Sequence, residues 1–519
     1  MTPTLLPMRT APTPTDPDRR CCGSVAAAVA LMLAAAAPAA FAQSSQDSQA
    51  GAPTTDPNSP VIHAGPVSLL FGGFSELAVI YRDKTETADV ASNMNTGIPF
   101  PSSQLSDVSE FRETARQSRF SMLAEGDPYA GAKADMYFET DFLGAAPTAN
   151  SQESNSYNLR VRQFFGQFVS DSGFSLTAGQ AWSLATMYKQ GLAPRSEDVP
   201  LTIDASYVVG FNWLRNPQIR FVEEFSKQFS LGFSIESPQT LLGTANTVPT
   251  TAQTVPGTTT TVTLSPYPST AIYQNAGGTG YASTNNYSID PAPDLILKAA
   301  ADPGWGHYEV YGLARWFRSN LAGVNNTVSG GGVGAGLILP LLPSNALNFQ
   351  ASGLYGKGIG RYGVAQLPDV VVMPNGSLST TKEIEYMLGL TYTPWSPLTA
   401  YVYAGREAID ANYADATLSA DGATFGPYAY GYGSPLVNVS GCYTLGGKCS
   451  AQTASDAEIT AGFWWKYYQG TLGNLQFGLQ FEYVQRTAFE GKLSTTGPAA
   501  PDANIFITMA SFRYYPFQK

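Results

Sequence analysis

Arg160 and Arg162 stand two residues apart in LRVRQFFGQF (159–168), so in an extended chain both guanidinium groups leave the same face. A guanidinium stays charged and can grip a carboxylate through two parallel hydrogen bonds, so the chemistry offered here is recognition of a small anion rather than bond making. Arg220 and Glu224 share a later segment, and residues 183–216 hold Lys189, Arg195, Glu197, Asp198, Asp204 and Arg215. Arg119 and Arg315 are further candidates for the same work. The same arginines have a plainer use, as partners of Asp135, Glu139, Asp141 and Glu224 in a solvated network that stiffens a wall.

Other chemistries find little support. Cys442 and Cys449 flank a Gly-rich stretch, SGCYTLGGKCS, and predict a small disulfide that restrains a loop. His63 and His307 are the two histidines; His307 shares a strand face with Glu309 and Tyr311, but no nucleophile and orienting partner stand in register with it. Asp410, Asp415 and Asp421 lack the tight alternation of a calcium loop. GGGVGAG (330–336) lacks the Lys-Ser/Thr ending of a phosphate loop. The sequence therefore predicts no enzyme, no cofactor and no metal site.

The elements that position these residues are strands. In LGNLQFGLQFEYVQR (472–486), Leu475, Phe477, Leu479, Phe481 and Tyr483 alternate with Gln476, Gly478, Gln480 and Glu482. In 132–142, Lys133, Asp135, Tyr137, Glu139 and Asp141 oppose Ala134, Met136, Phe138 and Phe142. Such segments recur about sixteen times from Val67 onward, separated alternately by short Gly/Asp/Pro turns and long polar loops. That rhythm predicts an all-β, transmembrane antiparallel β-barrel of about 16 strands, greasy outside and wet within, in contact with outer-membrane lipid and lipopolysaccharide. Trp305, Trp316, Tyr392, Trp395, Trp464, Trp465, Tyr467, Tyr468, Tyr483, Tyr514 and Tyr515 sit near strand ends and are expected to form interfacial girdles.

Residues 1–42 read as a signal peptide: Arg19 and Arg20 precede the apolar run Val25–Ala37, and Ala40 and Ala42 suit cleavage before Gln43. Residues 43–66, rich in Ser, Gln, Asp and Pro, read as a flexible periplasmic leader, and 67–519 as the barrel, with both termini periplasmic. A net charge of −11 argues against nucleic-acid partners. It does not set the selectivity of a pore, which depends on the charges at the narrowest point.

Four segments, SRFSMLAEGD (118–127), LRVRQFFGQF (159–168), LTAGQAWS (176–183) and RNPQIRF (215–221), resemble in type and order those of DcaP-like outer-membrane porins. The resemblance implies a homotrimer of sixteen-stranded barrels that pass small hydrophilic solutes, small (di)carboxylates among them, by passive diffusion. In such a plan the third extracellular loop, residues 183–216, folds inward and narrows the channel. Arg160, Arg162, Arg220, Lys189, Arg195, Glu197, Asp198 and Asp204 are then the expected constriction residues, with a preference for anions. The sequence departs from the family in two places. Residues 43–66 do not resemble the helical coiled-coil extension that some members carry, and loops 238–291 and 407–456 are long and individual. A non-transporting barrel, adhesin or membrane enzyme, is the alternative, and a lumen plugged by the third loop would favour it.

Overall fold

In lipid a strand has no water to satisfy its backbone, so a chain of alternating residues can cross only as a sheet whose two edges meet. The computed structural model describes residues 61–144, 158–243, 252–265, 271–276, 286–493 and 497–518; the expected signal peptide and residues 43–60 of the expected leader lie outside them. Sixteen strands form one closed antiparallel barrel. In chain order they are β1 (Val67–Arg82), β2 (Glu110–Thr114 and Arg119–Tyr129), β3 (Ala132–Gly144), β4 (Asn158–Ser170), β5 (Phe174–Trp182), β6 (Arg215–Ser226), β7 (Phe229–Glu236) and β8 (Asp294–Ala301). There follow β9 (His307–Leu321), β10 (Val324–Pro340), β11 (Leu347–Lys357), β12 (Lys382–Trp395), β13 (Leu398–Ile409), β14 (Thr453–Gly470), β15 (Gly473–Ala488) and β16 (Asp502–Tyr515). Each pairs with the next, and β1 pairs with β16, Ser75 opposite Tyr514.

Three details differ from the sequence expectation. The second strand is broken at 115–118, where Ser118 N donates to the Ala115 carbonyl. β10 begins at Val324 instead of Gly332, so its connection to β9 is only Ala322–Gly323, both at positive φ. At the end of the segment expected to be flexible, Val61–Ala64 pairs with Val67–Leu70 through a turn at Gly65.

The two faces of the sheet separate as the alternation requires. On β15 the side chains of Gln476, Gln480, Glu482, Val484 and Arg486 are buried inside, while Phe481 is exposed outside. Trp305, Trp395, Trp465, Tyr467, Tyr468 and Tyr514 are exposed at the short-turn end, where an interfacial girdle belongs. Trp464 and Tyr515 do not join it: both are buried on the inner face, because each is one residue out of phase with an exposed aromatic neighbour.

The long connections all leave one end of the barrel. Counted there in order, L1 is 83–109, L3 183–214, L6 358–381 and L7 410–452. The sequence pointed to L3 alone as an inward loop; L1 and L6 turn inward with it. Val90, Met94 and Ile98 of L1, Ile203, Val208, Val209 and Phe211 of L3, and Leu367, Val370 and Val371 of L6 are all buried, and L1 and L3 share one apolar cluster against the wall. L7 carries a hairpin, Asn412–Ala420 with Ala423–Tyr432, and a disulfide between Cys442 and Cys449.

Candidate functional site

L3 descends from Trp182, doubles back where Tyr188 pairs with Glu197, and crosses the lumen to the opposite wall before rejoining the sheet at Arg215. Its lowest point is latched near the short-turn end: Gly191 N donates to Asp302 (3.0 Å) and Tyr188 N to Glu309 (3.1 Å). On the far side the Ile203 N donates to Gln480 (2.6 Å), the Val209 N to Glu458 (2.8 Å) and the Gly210 N to Glu407 (2.7 Å). Backbone meets backbone there. A Cβ on Gly210 would stand 2.0 Å from the Tyr386 carbonyl and one on Gly405 1.8 Å from the Val209 carbonyl, so both positions require glycine.

L1 and L6 are fastened to the same structure. Asp204 accepts from Ser92 N of L1 (3.2 Å) and Ser206 N (2.7 Å), and burial raises its carboxyl above the usual range. Glu407 accepts from Val364 N (2.8 Å) and Ala365 N (2.9 Å) of L6 as well as from L3. Asn95 of L1 donates to the Ala365 carbonyl (3.0 Å). One carboxylate on β13 thus holds two loops.

The basic residues gather on the other wall. Arg160 and Arg162 both point inward, for a reason beyond simple alternation. The register slips by one residue between Glu139/Gln163 and Thr140/Val161, a β-bulge that puts Arg162 and Gln163 on the inner face together. Arg160 grips Asp141 bidentately (2.9 and 2.6 Å) with its side chain 31% exposed. Arg162 is fully enclosed; it donates to Glu139, Asp141 (3.1 Å) and the Tyr207 hydroxyl (3.0 Å). Arg119 lies 3.8 Å from Glu139, Arg195 stands over the Tyr137 ring and Arg215 over Trp182. Five guanidinium groups therefore face Asp135, Glu139 and Asp141.

Two L3 residues that address this wall, Arg195 (φ 73°) and Tyr207 (φ 71°), hold left-handed backbone that side chains rarely adopt. Burial alone would raise the Tyr207 phenol, but Arg162, Arg215 and Arg119 together bring it down to about 8.

The expected constriction residues thus divide. Arg160 and Arg162 meet at the basic wall, with Arg195 nearer the short-turn end, over Tyr137. Arg220 is buried away from the open lumen, donating to the Tyr188 hydroxyl (2.5 Å), Gln218 (3.0 Å) and the Trp182 carbonyl. Lys189 and Asp198 lie in the L3 double-back, where Lys189 N donates to the Ser196 carbonyl and burial pushes the Asp198 carboxyl up to about 6. Glu197 is buried beside them, and Asp204 serves the L1 joint. Sequence reasoning missed the acidic wall opposite: Glu385, Glu407 and Asp456 stand directly across from one another on β12, β13 and β14. Its signal was the alternation of acids in KEIE (382–385) and SDAE (455–458).

A closed sixteen-stranded barrel with an exposed apolar exterior and an inward loop between oppositely charged walls is the porin fold. No protein-family model matches the sequence, and no curated protein does. Among solved structures, the outer membrane channel DcaP of Acinetobacter baumannii superposes with a TM-score of 0.56 at 16% identity, covering 90% of this chain and 100% of that one. The anion-selective porin from Comamonas acidovorans gives 0.45 at 11% identity, over 86% and 99% of the two chains. OmpT of Vibrio cholerae gives 0.43 at 8%, over 88% and 99%. The chain is DcaP-like in fold.

Proposed function

We propose that the protein is an outer-membrane porin for passive diffusion of small hydrophilic solutes, with a preference for anions such as small (di)carboxylates. The observation that carries this reading is the bulge that brings Arg160 and Arg162 onto the lumenal face beside L3. Arg160, partly exposed, offers a fixed positive charge to a passing carboxylate. The fold's likeness to an outer membrane channel supports an outer-membrane location, which the signal peptide expected at 1–42 and periplasmic termini would serve, and the sequence resemblance implies a trimer. The disulfide at Cys442–Cys449 restrains L7 at the outer mouth. Reversal potentials across a bilayer in a salt gradient test the selectivity, and cation preference indifferent to neutralising Arg160 and Arg162 would overturn it.

The second reading, a barrel that does not transport, is favoured by one finding: L1, L3 and L6 fill the inner face so fully that wall residues on β7–β9 and β12–β16 are buried. Liposome swelling with sugars, amino acids and dicarboxylates separates the two. Folded protein that neither swells liposomes nor conducts would establish the second.

A further inference from the structure

One level of the barrel wall carries a run of side chains in straight register: Tyr311 on β9, Gly334, Leu354, then Glu385, Glu407 and Asp456. Like charges directly opposite on neighbouring strands repel, and Glu383 adds another carboxylate two residues from Glu385 on the same face. Among the described residues Glu383, Glu385 and Glu407 form no ion pair. Glu407 is at least satisfied by three loop N–H groups. Glu385 is 1% exposed, and neither of its oxygens has a hydrogen-bond partner.

Glu385 lines a small cavity between the returning arm of L3 and the wall, with Tyr311, Glu309 and Asn212 around it. The space admits the centre of one water-sized occupant, about 10 Å³. Asn212, 7% exposed, also lines it; its amide nitrogen is used on the Tyr311 hydroxyl (3.2 Å), and its Oδ1 has no partner. Glu309 is already engaged, by Lys298 (2.6 Å), Tyr188 N (3.1 Å) and His307 (3.2 Å). Besides the Ser352 hydroxyl, what remains inside are acceptors: both oxygens of one carboxylate and one amide oxygen. All are hard oxygen donors, and the carboxyl group has no ion-pair or hydrogen-bond partner among the described residues.

We propose that this cavity binds one monovalent cation of the sodium, potassium or ammonium class, held by Glu385 and Asn212. A cation answers both needs of the site: it gives the buried oxygens a partner, and it supplies positive charge to Glu385, since the nearby ammonium of Lys298 is engaged by Glu309. A lone water would satisfy the oxygens but leave the charge. A divalent ion would call for more carboxylates or several retained waters. Because Asn212 belongs to L3 and Glu385 to β12, the ion ties the loop to the wall.

The test needs no transport, so its failure is separable from that of the porin reading. Full-length folded barrel in detergent, at fixed pH and ionic strength, is melted in NaCl or KCl and in the chloride of N-methylglucamine, too large to enter. A saturable rise in the melting midpoint with sodium or potassium, absent in E385Q, is expected. Crystals soaked in thallium(I) are expected to show an anomalous peak between Glu385 and Asn212. Equal midpoints in all three salts, or an undiminished cation effect in E385Q, would overturn the proposal, as would crystals with no thallium peak there. E385Q is checked for folding by its heat-modifiable migration; should it fail to fold, wild-type melting and thallium density decide alone.

Discussion

Replacing Glu407 with alanine attacks a point where L3 and L6 are held together. Its carboxylate accepts three backbone N–H groups, from Gly210, Val364 and Ala365, at 2.7–2.9 Å. Hydrogen bonds to a charged group contribute roughly 1.5–3 kcal/mol each, so even the lower figure removes about 4.5 kcal/mol of loop seating. A loss of that size multiplies the unseated population by about a thousand-fold. The barrel itself should persist, since the β12–β13–β14 backbone ladders do not involve this side chain. In planar-bilayer recordings Glu407→Ala is expected to conduct in larger, noisier steps than the parent, with Glu407→Gln between them. Unitary steps and noise identical to wild type, in protein that still shows the folded barrel's heat-modifiable band, would refute the idea that L3 and L6 throttle the lumen.

Other outcomes follow from the same geometry. Arg160→Gln should lower anion permeability about five-fold, since one charge 4 Å from a solute in water-like surroundings is worth about 1 kcal/mol; Arg162→Ala should instead destabilise the fold by roughly 3–5 kcal/mol, because it leaves Glu139 and Asp141 buried without it. The Tyr207 phenol, held down to about 8 by its arginines, is neutral below that pH and anionic above it, so anion preference should fall as pH rises through 8 and stay level in Tyr207→Phe, as read from reversal potentials. Cys442→Ser with Cys449→Ser should loosen L7 by about 2 kcal/mol, the value for closing so short a loop, and should speed limited proteolysis there while leaving the barrel's melting unchanged.

The strands were legible because one period governs them and each must face both lipid and water. All sixteen segments expected from alternation lie in strands, with errors at ends such as that of β10 and at the break inside β2. Adjacent aromatics were harder to place. In Trp464–Trp465 either residue fits the lipid face, and only pairing with neighbouring strands shows that Trp464 turns inward to donate to the Leu201 carbonyl. The aim of Arg162 was right for an incomplete reason, since the bulge beside it is a relation between two strands and leaves no mark on either alone. Least legible were the loops. L1 and L6 are drawn in by partners such as Asn95 with Ala365 and Thr453, hundreds of residues apart, where no local pattern reports the contact.

The seam between β1 and β16 has a consequence for how the molecule comes into being. Across it Glu76 receives Ser511, 435 residues away, and Arg513 at 2.9 Å. Until those partners meet, the first strand offers a bare row of amides and carbonyls that hydrocarbon cannot solvate. Entry into the bilayer and joining of the two ends must then be one event, or some other strand must stand in for β16 while the nascent sheet waits.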